Sequence, residues 1–393
     1  MQTPYLGGIG MKVAVVGIGQ TKLGEHWERS LKSLSAEAGA LALQDAGVDG
    51  SQVQAVFVGN MSAGRFIGQE HLGAMAVDHA GLNPIPGVRC EAACASGALA
   101  FRQAYLAVKS GEYDLVVAAG AEKMTDLKGS GAIATLMGAG DQEWESALGF
   151  TFTGLYALMA RRYMHLYGLT REELAEIPVK NHFHGKNNPY AQFQFEIRVE
   201  DVLRSPLIAD PLRLLDCSPI TDGAAAVVLA SENIAKQFEK PVWVLASAHA
   251  SDTLGLYARK SLTSLEAARL AAREAYSQAG LKPGDIDVAE VHDCFSIAEL
   301  IAYEDLGFAE PGKGRELLLN QETRIGGSIP VNTDGGLKLG HPVGATGIKQ
   351  IIELVKQLRG EAINQVKGAK YALAHNVGGS GATAIVHILG GEG

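Results

Sequence analysis

The same order of elements is written twice along this chain, and that repetition constrains the fold more than any single motif. Residues 12–16 form a short Val-rich run ending at Gly17 and predict a buried strand. Residues 30–47 follow with apolar positions at helical spacing and a closing glycine, then 52–58 as a second strand, a glycine-rich helical region, and 115–119 as a third strand. The order returns with a strand at 242–246, a helix at 265–280 ending in Ala-Gly, and a strand at 288–291. Asp222-Gly223-Ala224-Ala225-Ala226 and Ser380-Gly381-Ala382-Thr383-Ala384 each open a closing Gly-Ala strand. Alternating strands and helices predict two α/β halves, each with a mainly parallel sheet, able to pack helix layers between the sheets. The first half takes residues 11–120 and 215–240, the second 241–393. Residues 121–214 have no counterpart and carry an aromatic, charged stretch at 150–195, which predicts an inserted lid or binding subdomain.

Composition closes off several functions. The 393 residues suit two or three domains at about 150 residues each. The 34 basic against 43 acidic residues give a net charge of −9, which argues against nucleic acid or an anionic membrane as partner. Four cysteines without CxxC spacing are too few for a disulfide framework and point to a reducing, cytoplasmic setting. Residues 1–10 lack a basic region followed by an apolar one, and are expected to be a loose extension rather than a signal peptide. No apolar run suggests a membrane span, and the final Gly391-Glu392-Gly393 is not a peroxisomal address. Glycine is in excess at 48 residues, and fifteen of these fall between positions 326 and 393, where backbone is expected to come close to a ligand.

Several segments are candidates for chemistry. Gly17-Ile18-Gly19 follows a strand, but Lys22 stands where a dinucleotide-binding turn requires its third glycine. A tight turn after the strand accounts for it. Glu91-Ala92-Ala93-Cys94-Ala95-Ser96-Gly97 precedes a helix expected at 98–109, so Cys94 sits near a helix N-terminus where the dipole favours a thiolate. A small buried cysteine is the competing reading. His341 lies in the Gly/Pro loop 332–347 ahead of a helical run at 348–358, and is suited to activate a thiol near neutral pH. His292 and Cys294, in Val291-His292-Asp293-Cys294-Phe295, stand at a strand end, where α/β folds place ligand sites. A zinc site from His292, Asp293 and Cys294 is unfavourable, because neighbouring strand residues face opposite ways. His375-Asn376-Val377-Gly378-Gly379 is a further strand running into a glycine turn. His182 and His184 resemble a metal pair, but a polar loop explains them.

These segments, in this order, resemble the thiolase family. CASG around Cys94, HDCF at His292, GHPxGATG at Gly340 and the terminal Gly-Gly turn carry the resemblance, helped by TDGAAAVVL from Thr221 and NxTDGG before the GHP loop. It spans residues 11–389 and is strongest for an archaeal and bacterial branch related to sterol-carrier-type thiolases. The resemblance implies a duplicated βαβαβαββ fold in α-β-α-β-α layers with an inserted loop domain. It implies acetyl-CoA C-acetyltransferase activity, most directly the reversible conversion of two acetyl-CoA to acetoacetyl-CoA and CoA through an acyl-cysteine. Cys94 is then the nucleophile and His341 its activator. His292 and backbone N–H groups near Cys94 and Gly379 hold oxyanions, and Cys90 and Cys217 are structural. No cofactor or metal is implied, CoA thioesters being substrates.

One departure stands out. Where most thiolases place a second cysteine, this chain has Asn376, which exchanges no proton, so Cys294 is expected to take over that role. The resemblance also implies a homodimer or tetramer, and a zinc-ribbon OB-fold protein as partner beside 3-hydroxy-3-methylglutaryl-CoA synthase, in lipid metabolism of the mevalonate type. The alternatives are a 3-ketoacyl-CoA thiolase of fatty acid or sterol degradation, a thiolase-fold aldolase, a decarboxylating ketoacyl synthase, and a non-catalytic acyl-CoA-binding scaffold.

Overall fold

The structure is a computed structural model that describes residues 11–391. The extension expected at residues 1–10 lies outside the described residues. The strands are β1 (Val13–Gln20), β2 (Ala55–Gly59), β3 (Gly87–Cys90), β4 (Leu115–Glu122), β5 (Leu207–Ala209), β6 (Leu212–Arg213), β7 (Gly223–Ser231), β8 (Val242–Ser251), β9 (Val288–Glu290), β10 (Tyr371–Gly378) and β11 (Thr383–Gly390). Nine of them form one sheet in the order β3-β2-β4-β7-β1-β8-β11-β10-β9, and β5 pairs with β6 alone. From the centre outward, β1-β7-β4-β2-β3 is matched by β8-β11-β10-β9. Val331, bridged in parallel to Ala289 of β9, occupies the place of β3.

The sheet is mixed, not mainly parallel. β3-β2-β4 and β9-β10 are parallel, whereas β7 and β11 run antiparallel to both of their neighbours. The cause is local in the second half. β10 and β11 are joined by the short turn at 379–382, and a turn that short joins only antiparallel strands. The halves meet through a two-pair seam, Ala14 with Trp243 and Val15 with Val242, so their sheets are continuous.

Alternate residues of each strand feed different layers. Val13 and Val15 of β1, Val116 and Ala118 of β4, and Ala372 and Ala374 of β10 bury against helices Ser96–Lys109 and Thr346–Arg359, which lie between the two halves. Ala14, Val16 and Val117 face outward onto helices Leu31–Ala46 and Leu72–His79. Leu373 and Val377 face the opposite outer layer of helices Glu266–Ala279, Ser296–Asp305 and Phe152–Tyr167. Strands covered on both sides show no polar alternation, and all nine residues of β7 are buried.

The helix stop and start signals act as the sequence indicates. Ser30 caps Leu31–Ala46 by accepting the Ser33 N–H, and Gly47 and Gly280 end their helices at φ values of 66° and 67°. Gly17 and Gly19 have a different role from the turn expected. Both lie inside β1, and a Cβ on either would fall within 2.5 Å of the Ala42 backbone, so they let the first helix close onto the strand. The pair His182 and His184 is on helix Arg171–Gly185, not in a loop. Its Nδ1 atoms bond two separate carbonyls, those of Phe195 and Asn332.

Candidate active site

β3 delivers the chain to a tight turn that ends in helix Ser96–Lys109, and Cys94 sits in that turn. Ala93 is held at φ 52°, a left-handed conformation costly for a residue with a Cβ. Ser96 stabilises the turn from both sides, its hydroxyl donating to the Ala93 carbonyl at 2.6 Å and accepting the Ala92 N–H at 2.9 Å. Gly97 lets the start of this helix approach the backbone of Gly344 and Gly347, so the two loops meet.

His341 is fixed at two points. Its N–H donates to Thr221 Oγ1 at 3.0 Å, and its ring Nδ1 lies 2.7 Å from Thr346 Oγ1. The Thr346 hydroxyl has one proton, and that proton goes to the Pro342 carbonyl. The hydroxyl must therefore accept from His341, which puts the imidazole proton on Nδ1 and leaves Nε2 with its lone pair free.

His292 shows the opposite tautomer. Asn376 Nδ2, 3.0 Å from His292 Nδ1, donates to it and leaves the proton on Nε2, which is buried without a protein partner. The two rings meet edge to face at 5.2 Å. The Cys94 sulfur and one ring nitrogen from each of His292 and His341 lie within 4.8 Å of one another. The site thus pairs a free imidazole lone pair with an unpaired imidazole N–H beside one thiol.

Next to His292, Asp293 turns away. Its carboxylate accepts from Leu337 N at 2.7 Å and Asn181 Nδ2 at 2.8 Å in a buried polar network. Cys294 faces the same way as His292, toward Cys94 and the Tyr156 hydroxyl. That hydroxyl also donates to the Gly379 carbonyl at 3.1 Å, while the Tyr156 ring packs on Phe295 at 4.8 Å. Gly379, at φ 59°, directs its N–H at the Cys94 sulfur. Lys338 Nζ donates to the carbonyls of Asp216 and Asp293 and so clamps the segment carrying His292 and Cys294.

Burial governs the electrostatics. It pushes the Cys94 thiol up to about 12, against the N–H groups of Gly379 and Cys94 itself and with Glu122 adding to the rise. The low thiol pKa expected from the helix N-terminus therefore does not hold. Burial, with Lys349 and Lys338 beside it, pushes His341 down to about 3. Burial also lowers His292 and raises Cys294. The resting site is a set of neutral groups, in which a proton passes between partners rather than to water.

His292, Cys294, His341, Asn376 and Gly379 gather here with Cys94, whereas Asp293 does not. Sequence reasoning missed Tyr156, which lies in the stretch taken for a lid, and the contributions of Thr346, Thr221 and Lys338. The threonines do fall within the quoted TDGAAAVVL and GHPxGATG words, which was the available signal.

Family models agree with this picture. The thiolase N-terminal domain matches residues 13–233 and the thiolase C-terminal domain-like model residues 248–391. The chain belongs to the thiolase family. It is 56% identical to an acetyl-CoA acetyltransferase of Methanothermobacter thermautotrophicus, over 96% of this chain and 99% of that one. It is 49% identical to an acetyl-CoA acetyltransferase of Methanocaldococcus jannaschii, over 96% of this chain and 98% of that one. Among solved structures, an Ltp2-ChsH2(DUF35) aldolase superposes with a TM-score of 0.84 at 28% identity, covering 97% of this chain and 98% of that chain.

Proposed function

We propose that this protein is an acetyl-CoA C-acetyltransferase that interconverts two acetyl-CoA with acetoacetyl-CoA and CoA through an acyl-Cys94 intermediate. The observation that carries the reading is the Cys94 sulfur with one ring nitrogen each of His341 and His292, all within 4.8 Å of one another.

The proton ledger closes with these groups alone. His341 Nε2 takes the Cys94 proton as the sulfur attacks the acetyl carbonyl. The His292 Nε2–H and the backbone N–H groups of Cys94 and Gly379 hold oxyanions on the way, each donor being worth about 3 kcal/mol of barrier. The departing CoA thiolate takes the proton of Cys294. The resulting Cys294 thiolate, paired with the His341 imidazolium, removes the Cα proton of the second acetyl-CoA. The carbanion attacks acetyl-Cys94, and the expelled Cys94 thiolate recovers its proton from His341. Each proton moves directly between neighbouring partners, so neither thiol has to ionise into water. Asn376 serves by fixing the His292 tautomer.

Cys94 and His341 favour thiolysis over the aldolase reading suggested by the DUF35-containing neighbour, since a retro-aldol cleavage uses no acyl-cysteine. That neighbour, solved with a DUF35 protein, supports a partner for this chain, which we take to be a zinc-ribbon OB-fold protein that completes the CoA site; a cytoplasmic homo-oligomer feeding a 3-hydroxy-3-methylglutaryl-CoA synthase rests on the family resemblance alone. Addition of such a partner is expected to raise the activity of the isolated chain, and full activity without it counts against that assembly. For the chemistry, intact-mass measurement after mixing with acetyl-CoA should show one acetyl adduct that disappears in Cys94→Ala. Absence of the adduct in the wild-type chain would make it a scaffold.

A further inference from the structure

β2 ends one residue before Asn60, and the backbone that follows is pinned from two directions. Met61 N–H donates to the Glu122 carboxylate at 2.8 Å, and the Met61 carbonyl accepts from Arg89 Nη2 at 2.8 Å. Ser62 N–H and Asn60 Nδ2 also donate to Glu122. The position of the Met61 backbone therefore owes nothing to its side chain, which is buried.

That side chain belongs to two surroundings at once. It is part of the small apolar cluster, with Met124 and Val343, against which Cys94 packs. It also lines a cavity of about 440 Å³ bounded by Ala93, Ala139, Leu254, Gly378 and Thr383. Ala93 precedes the nucleophile, and Gly378 precedes the residue whose N–H points at the sulfur. The cavity thus starts beside the acyl position, where the Met61 thioether is the long, flexible part of a wall that Ala93 and Gly378 complete.

We propose that Met61 sets acyl-chain length. Its side chain closes the cavity off from the acyl position on Cys94, so that acetyl and acetoacetyl groups fit and longer 3-oxoacyl chains do not. The inference rests on Cys94 as the acylated residue and adds the element that selects its acyl group.

Met61→Ala opens the wall while leaving the backbone bonds to Glu122 and Arg89 in place. The cavity behind Met61 carries Ser62, Arg65 and Glu91 beside its apolar wall, so the gain per added methylene is set at the lower end of the range for an apolar pocket, about 10-fold. The ratio of thiolysis kcat/KM for 3-oxohexanoyl-CoA over acetoacetyl-CoA should therefore rise at least about tenfold in Met61→Ala, and further for 3-oxooctanoyl-CoA. Met61→Leu, of similar volume, should keep the wild-type ratio. Ratios within one variant are independent of how much of it is folded. An unchanged ratio in Met61→Ala overturns the proposal, as does a wild-type chain that already cleaves 3-oxooctanoyl-CoA as well as acetoacetyl-CoA. Failure of Cys94 to acylate in any variant would instead defeat the acyl-cysteine reading itself.

Discussion

The two halves of the sheet share a topology and divide the labour unequally. In the first half, β2 leads into Asn60, Met61 and Ser62, which a buried Glu122 ties down and which build a wall. In the second, the equivalent strand β9 leads into His292 and Cys294, which face the nucleophile. The segment after β3 supplies Cys94, and the segment after its counterpart Val331 supplies His341. The final connections differ most. Between β4 and β7 lie residues 123–222, which include helix Phe152–Tyr167 and Tyr156, whereas β10 and β11 are joined by residues 379–382, a turn tight enough to aim the Gly379 N–H. A duplicated scaffold thus brings four strand ends to one point, and divergence of the segments beyond them allots thiol, base, donor and wall.

The sharpest way to break this comparison is at the one reactive group the first half contributes. Cys94→Ala should lower acetoacetyl-CoA thiolysis by about 10⁴-fold or more, the scale seen when a covalent nucleophile is removed. Acetyl-CoA binding, followed calorimetrically, should persist. Residual turnover near the wild-type rate would move the nucleophile elsewhere. Next in size is Cys294→Ala in the second half. Exchange of the acetyl-CoA Cα proton, read by deuterium incorporation, should fall by about 10² to 10⁴-fold, the range for a general base. Acetylation of Cys94 should remain. Normal exchange in that variant would return the proton transfer to another group and undo the division proposed.

Much of this site was legible because its members sit in glycine-rich words that tolerate few other purposes. Cys94, His292, Cys294, His341 and the Gly379 turn each lie within one of them. What escaped depends on contacts far apart in sequence. Tyr156 reaches Gly379 across 223 positions, and nothing near Tyr156 marks it as different from a core tyrosine. The pKa of Cys94 departs from the sequence expectation for a related reason. A helix dipole is a property of the adjoining turn, whereas burial is a sum over the whole fold, and here burial wins. The sheet is mixed rather than mainly parallel because strand-helix alternation says nothing about how the Gly-Ala strands enter. The glycines of β1 read as a turn in the sequence because their partner, the Ala42 backbone, is known only once the helix is docked.

Smaller effects sharpen the picture of how the second half aims its groups. Thr346→Val removes the acceptor for His341 Nδ1 and frees the ring to adopt the other tautomer. A neutral hydrogen bond of this kind is worth about 1 kcal/mol, so kcat should fall about 5- to 10-fold with KM nearly unchanged, and Thr346→Ser should restore it. Tyr156→Phe should have an effect of similar size on Cα proton exchange, because the hydroxyl beside Cys294 is lost while its ring packing on Phe295 remains. If either change acts on KM alone, the hydroxyl concerned only shapes the pocket.

The last contrast between the halves concerns acid. His341 and His387 are pushed down to about 3 and His375 to about 4, in each case chiefly by burial, and all three lie in the second half. His26, His71 and His79 of the first half are not buried. A histidine held neutral in the fold takes up its proton on unfolding once the pH drops below about 6.5, the ordinary imidazole value. The unfolded chain then binds more protons than the native one, so stability is full above that pH and falls as the pH descends toward the folded values near 3 to 4. Each such group contributes a slope of about 1.4 kcal/mol per pH unit in that window. Asp305 and Glu353, pushed up to about 7 by burial, and Asp293, pushed up to about 6, lie in the same half and have the opposite sign: the native state protonates them first, so they add stability as the pH falls from 7.5 to 5. The histidine share is therefore read one group at a time: His375→Gln should lose about 2 kcal/mol less stability than the wild-type chain between pH 7.5 and 5, measured by denaturant unfolding, and a pH dependence identical to wild type would show that His375 takes up no proton on unfolding.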